Sequence, residues 1–76
     1  MWIIGKESSR QVDTACVASI DVGMEGKCPT IDFTGLNNEV IMTITFEQIQ
    51  SRDTAYARIV EAIVGSKSSV TISDLK

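Results

Sequence analysis

The stretch that decides the fold spans residues 11–46 and reads QVDTACVASIDVGMEGKCPTIDFTGLNNEVIMTITF. Its first part alternates between apolar and polar side chains, and successive side chains of a β-strand point to opposite faces of the sheet. The pattern therefore predicts a half-buried strand over residues 11–22. One face is formed by Val12, Thr14, Cys16, Ala18, Ile20 and Val22, and the other by Gln11, Asp13, Ala15, Val17, Ser19 and Asp21.

Two turn signals follow this strand. Residues 23–26, Gly-Met-Glu-Gly, contain two glycines, which adopt positive φ without steric cost, and alternation resumes after them. Asn37-Asn38 fits the two positive-φ positions of a type I′ turn, and a further strand continues to Phe46. Residues 11–46 are therefore predicted to form a three-stranded antiparallel meander.

The register of this meander is predicted from its apolar residues. Placing Val22 opposite Lys27 pairs Ala18 with Ile31 and Cys16 with Phe33. Placing Leu36 opposite Glu39 pairs the next two strands. The expected apolar partners there are Phe33 with Met42 and Ile31 with Ile44.

The period becomes helical over residues 53–64, where four apolar side chains stack on one face. They are Tyr56, Ile59, Val60 and Ile63, with Arg58 and Glu61 turned away. Ser51 or Asp53 is expected to cap the start, and Gly65 suits the left-handed position after the end.

Apolar residues near both termini predict two more strands. The first contains Trp2, Ile3 and Ile4 and turns at residues 7–9, and the last contains Val70, Thr71, Ile72 and Leu75. The sequence thus predicts one domain over residues 1–76, of α+β class and ββββαβ order. A mostly antiparallel sheet packs one face against a single amphipathic helix.

The composition excludes several classes of function. The 76 residues are 43% hydrophobic and carry a net charge of −3, which is normal for a globular domain and disfavours nucleic acid as a partner. The longest apolar runs are too short to cross a bilayer, and no leader pattern opens the chain, so a soluble cytoplasmic protein without a membrane partner is expected. The absence of histidine removes the commonest general base, and no catalytic, cofactor-binding or metal-binding residue is assigned.

The motifs that suggest other chemistry are incomplete. Residues 21–32 resemble a calcium loop only in part, because position 3 is Gly23 and Pro29 interrupts the second half. Residues 65–69 follow a helix instead of opening one, unlike a phosphate loop. The predicted register places Cys16 in the core and Cys28 outside and some 17 Å away, so the two thiols are expected to be free in a reducing compartment.

Charge is concentrated in the meander. Residues 11–47 hold six carboxylates and one lysine, whereas the remainder carries a net charge of +2. We therefore predict a non-enzymatic protein-binding module that docks a basic partner through an acidic sheet face or a sheet edge. The candidate partner-binding residues are Asp13, Val17, Asp21, Asp32, Ile41 and Thr43.

Other interpretations stay open. The outward face is also typical of a merely solvated antiparallel sheet. Among functions, a stoichiometric inhibitor, such as those that phages make against host defence, fits the size and charge by analogy. A structural subunit that self-assembles through its sheet edge, for example as a homodimer, is the alternative. A carboxylate-based or metal-dependent enzyme is a third.

Overall fold

The computed structural model describes residues 1–5 and 10–73. It contains six strands, a 3-10 turn and one α-helix. In chain order the elements are β1 (Trp2–Gly5), β2 (Arg10–Asp13), the 3-10 turn (Thr14–Cys16), β3 (Val17–Glu25), β4 (Cys28–Gly35), β5 (Val40–Thr45), α1 (Ile49–Val64) and β6 (Ser69–Ile72).

The strands form two three-stranded sheets, ordered β2-β1-β6 and β3-β4-β5. All neighbouring strands are antiparallel except β1 and β6, which are parallel. The predicted α+β class, with mostly antiparallel strands, one helix and a last strand, is confirmed. The strands are divided between two sheets that close around one core, because β2 contacts β5 and α1 contacts both β4 and β6.

The strand predicted over residues 11–22 is interrupted in its middle. The Asp13 carboxylate accepts a hydrogen bond from the Ala15 N–H at 3.1 Å and starts the 3-10 turn. This turn carries the chain from one sheet to the other. Cys16 therefore lies exposed in the turn, and its predicted core position opposite Phe33 is wrong.

The β3–β4 register also differs from the prediction. The turn consists of Gly26 and Lys27 alone, with Gly26 at φ +62°, so residues 23–25 extend the strand. Ile20 consequently pairs with Phe33, and Val22 replaces Ala18 as the partner of Ile31. The inward and outward faces mostly survive because the pairing is displaced by an even number of residues.

The β4–β5 register is confirmed by the pairs Phe33–Met42 and Ile31–Ile44. The turn between the strands is a three-residue loop, closed by hydrogen bonds from the Asn38 N–H to the Gly35 carbonyl and from the Gly35 N–H to the Glu39 carbonyl. Asn38 alone in this loop adopts positive φ, at +68°, so the predicted type I′ turn is replaced by a longer loop.

Helix α1 begins four residues before the predicted start. Its N-cap is Gln48, which makes no side-chain capping hydrogen bond, so the predicted caps at Ser51 and Asp53 are wrong. Gly65 follows the helix as predicted but has φ −80°, and Ser66 takes the left-handed conformation at +53°. The N–H groups of Ser66 and Lys67 bond to carbonyls in the last turn, as in a Schellman motif.

The core is formed by both sheets and by one stripe of the helix. Its largest fully buried apolar side chains are Ile3, Ile31, Phe33, Ile44, Phe46, Ile59 and Ile72. The buried helical residues are Ala55, Ile59 and Ala62. Val60 and Ile63, which were predicted to face the core, are 42% and 45% exposed.

The first strand lies where predicted, and the last covers Ser69–Ile72. The predicted turn at residues 7–9 and Leu75 lie outside the described residues. In the part of the chain that the structure describes, no helix has the length and apolar character needed to cross a membrane.

Candidate docking face

A row of three polar side chains crosses the outer face of the β3-β4-β5 sheet. Asp21 on β3 pairs directly with Asp32 on β4, and Asp32 pairs directly with Thr43 on β5. We call these three residues the acidic row. Their neighbours along each strand, such as Phe33 and Met42, point into the core, so burial of those residues holds the row outward.

Hydroxyl groups orient both carboxylates. The Thr43 hydroxyl donates to Asp32 Oδ1 at 3.0 Å, and the Ser19 hydroxyl donates to Asp21 Oδ2 at 3.2 Å. The second oxygen of Asp32 lies over Gly23, where a Cβ atom would approach it to 3.2 Å. Asp32 is therefore fixed at the centre of the face, half-buried, beside the more exposed Asp21.

The charges of the acidic row are not balanced within the described residues. The ion pairs there join the amino terminus to Asp13 at 3.7 Å and Arg52 to Asp53 at 3.1 Å. Neither Asp21 nor Asp32 has such a partner among residues 1–5 and 10–73. Like charges that face each other across two strands repel, so this arrangement favours an external cation.

Two predicted site residues lie elsewhere. Asp13 ends β2 in the other sheet, where it caps the 3-10 turn and pairs with the amino terminus. Val17 pairs with Gly35 while Ser19 pairs with Thr34, so an extra residue, Ala18, lies between the two pairs. This irregularity turns Val17 to the core side, where it packs against the buried cluster, and its predicted outward position is wrong.

Ile41 lies at a second irregularity, where the register shifts between Phe33 and Thr34. Its Cγ2 atom would be 3.0 Å from a Cβ on Gly35, so it leans toward the end of the sheet that carries the β4–β5 turn. Ile41 is exposed but is not part of the acidic row. Of the six predicted site residues, Asp21, Asp32 and Thr43 are brought together.

Two features of this region were not predicted from the sequence. Ser19 supports Asp21, a contact that the i, i+2 spacing of a strand makes available. An open groove of about 510 Å³ lies between β3 and α1. It is lined mainly by apolar side chains, including Val17, Ile20, Tyr56, Val60 and Ile63.

In the described residues, neither the two cysteines nor the other side chains that can ligate a metal form a metal site. Cys16 and Cys28 are both free and exposed. No three side chains of metal-ligating type come together within residues 1–5 and 10–73, and residues 21–32 form a hairpin in place of a calcium loop.

Comparison with known proteins finds no match to a protein family, to a curated protein or to a solved structure.

Proposed function

We propose that the chain is a non-enzymatic protein-binding module that docks a basic partner on the outer face of its β3-β4-β5 sheet. The observation that carries this proposal is the direct pairing of Asp21 with Asp32, two carboxylates without a basic partner in the described residues. A lysine or arginine side chain placed between them would relieve their repulsion and bind both.

The surroundings of the acidic row favour protein binding over catalysis. General acid–base chemistry works best in a concave, water-excluding pocket. The row lies instead on an open strand face, and other residues line three depressions beside α1. Small β-branched side chains such as Thr43 make this face flat, so a partner protein can contact it.

A stoichiometric inhibitor, including one of viral origin directed at host defence, is the functional class that size and net charge favour by analogy. We expect such an inhibitor to act in the cytoplasm, because two exposed free thiols suit a reducing compartment. A basic partner approaching this face would be steered by the net charge of −3.

The test compares two charge reversals in the chain immobilised on a sensor surface. Proteins captured from a host lysate are identified by mass, purified, and titrated against the parent, Asp32→Lys and Glu47→Lys. Both variants replace a carboxylate by a lysine and therefore change the net charge equally. Glu47 is exposed and follows β5, outside the acidic row. We expect Asp32→Lys to weaken binding at least about tenfold and Glu47→Lys much less.

Salt dependence separates this docking mode from apolar binding. Affinity of the parent should fall as salt rises from about 0.05 to 0.5 M, because the charges involved are solvent-exposed. Equal affinities for the parent and Asp32→Lys would show that the acidic row takes no part in binding.

A further inference from the structure

The Arg52 side chain joins the first turn of α1 to the end of β3 that leads into the β3–β4 turn. Its Nη1 atom donates to the Gly23 carbonyl oxygen at 2.9 Å, and its Nε and Nη2 atoms lie 3.1 Å from Asp53 Oδ1. The side chain is 13% exposed. The helix macrodipole opposes a cation in the first turn of a helix, so Arg52 is held there by these acceptors.

The same guanidinium nitrogen faces a much weaker acceptor. Arg52 Nη1 lies 3.8 Å from Met24 Sδ. A thioether sulfur is a weak hydrogen-bond acceptor, whereas a guanidinium donates its strongest hydrogen bonds to polar or charged oxygens. Each Nη atom of arginine carries more than one hydrogen, so the bond to Gly23 leaves a donor for the sulfur. An oxygen atom on this sulfur would therefore give a mostly buried cation a better acceptor.

Met24 is also the most accessible methionine sulfur that the structure describes. Its side chain is 53% exposed, whereas Met42 is 4% exposed in the core. Met1 is half-buried and packs against the core cluster. Oxidation of methionine by a dissolved oxidant requires access to the sulfur, so exposure favours Met24 over both.

We propose that Met24 is a site of reversible oxidation by hydrogen peroxide, and that Arg52 binds the resulting sulfoxide. The sulfur attacks one peroxide oxygen, an S–O bond forms and the O–O bond breaks. The thioether loses two electrons, and the departing hydroxide takes the proton of the transferred oxygen and leaves as water. A methionine sulfoxide reductase reverses the reaction with two thiols, which become a disulfide as the oxygen leaves in water.

The position of Arg52 reverses the usual effect of this modification on stability. A sulfoxide in a core is disruptive, because it makes an apolar side chain polar. More than half of the Met24 side chain is in water, so little apolar contact is lost. Its rotatable bonds let the sulfoxide oxygen turn to Arg52 Nη1, and the new hydrogen bond joins β3 to α1. The oxidised protein should therefore be the more stable form, whether or not the acidic row binds a partner.

The first experiment measures which methionine reacts. The protein carries Cys16→Ser and Cys28→Ser, because both exposed thiols would otherwise consume peroxide. After timed exposure to peroxide, digestion and mass spectrometry, Met24 should have gained one oxygen at least about tenfold faster than Met42. The two residues should react at similar rates in urea-unfolded protein. A methionine sulfoxide reductase with a thiol should remove the oxygen.

The second experiment measures what the oxygen does. Urea unfolding of the oxidised and reduced proteins should show an unfolding equilibrium constant that is lower in the oxidised form by at least about threefold. The gain should vanish in Arg52→Gln, which removes the donor. Met24→Leu has no sulfur at this position and should be unaffected by the same peroxide treatment, which controls for reaction elsewhere.

A glutamine variant repeats the test without oxidation and without altering Arg52. Met24→Gln places an amide oxygen near the position of the sulfoxide oxygen and should keep at least the stability of the parent. Val22→Gln, at a 47% exposed position on the same side of β3, should be less stable than the parent, because it gains no such partner. Met24→Gln therefore decides the outcome where Arg52→Gln is unfolded.

Each of four results would overturn the proposal. They are oxidation of Met24 in the folded protein no faster than that of Met42; an oxidised form less stable than the reduced form; a gain that persists in folded Arg52→Gln; and a loss of stability in Met24→Gln as large as that in Val22→Gln.

Discussion

Asp21 and Asp32 are direct partners across β3 and β4, and each carboxylate accepts a hydrogen bond from a hydroxyl group. Neither forms an ion pair among residues 1–5 and 10–73. Two negative charges opposite each other make the pair unfavourable for folding. A small domain has little stability to spare, so the pair fits the proposed docking role better than a role in stabilising the fold.

Asp32→Asn should therefore raise stability slightly at low salt. The amide keeps an oxygen for the Thr43 hydroxyl and removes the repulsion, a gain of up to about 0.5 kcal/mol that salt should abolish by screening. Urea unfolding at about 0.02 and 1 M salt measures it. Glu47→Gln, which removes a charge at an exposed position after β5, is the control, and a loss above about 1 kcal/mol in Asp32→Asn would contradict the explanation.

The thiols give a second prediction. Both Cys16 and Cys28 are exposed, one in the 3-10 turn and one at the start of β4, so folded protein should react rapidly with two equivalents of a thiol reagent. The reaction is followed by absorbance, with urea-unfolded protein as the reference. Slow reaction at either residue would mean that its neighbourhood is more closed than the structure shows.

The alternation of residues 11–46 was enough to predict most faces of the meander and the pairing of β4 with β5, but not the register of β3 against β4. An even displacement of β3 against β4 keeps Ile20 and Val22 on the core side, so the side-chain pattern cannot distinguish the two registers. The turn fixes which register forms. Gly26-Lys27 is a two-residue turn with glycine at its first position. This feature is readable from sequence once two-residue hairpins are given preference.

Asp13 itself indicates that the strand is interrupted, although the alternating pattern continues through it. Aspartate is disfavoured within strands and caps turns through its own side chain, as it does here toward Ala15. The irregularity near Val17 had no such signal, because it depends on how β3 enters the second sheet. The stripe on α1 was predicted as core, yet Val60 and Ile63 line an open groove, because the helix turns Ala55, Ile59 and Ala62 to the core instead.

Phe33 tests the packing of the core. It is fully buried on the central strand, between Ile20 and Met42, so Phe33→Ala should cost about 3 to 5 kcal/mol and unfold much of the population. Leu36→Ala, in the exposed turn, should change stability by less than about 0.5 kcal/mol. Thermal melts followed by circular dichroism compare them, and similar melting temperatures for both variants would place Phe33 outside the core.

Ser66 tests the end of the helix. It adopts φ +53°, a conformation that costs roughly 1 kcal/mol for a residue with a Cβ atom and little for glycine. Ser66→Gly should therefore stabilise the domain by about 0.5 to 1 kcal/mol. Ser68→Gly, in the same loop without positive φ, should be neutral or slightly destabilising, and equal effects in urea unfolding would argue against the left-handed assignment.

Val17 tests the irregularity at the start of β3. Simple alternation places Val17 outward beside Asp21, whereas the structure pairs it with Gly35 and packs it against the buried cluster. Val17→Asp would bring an unpaired carboxylate to this apolar site and should cost at least about 2 kcal/mol. Ser19→Asp, on the outer face two residues away, should cost less than about 1 kcal/mol even beside Asp21, because that charge stays hydrated. Urea unfolding of the two variants gives the comparison. A Val17→Asp variant as stable as Ser19→Asp would restore the uninterrupted strand and, with it, Val17 to the docking face.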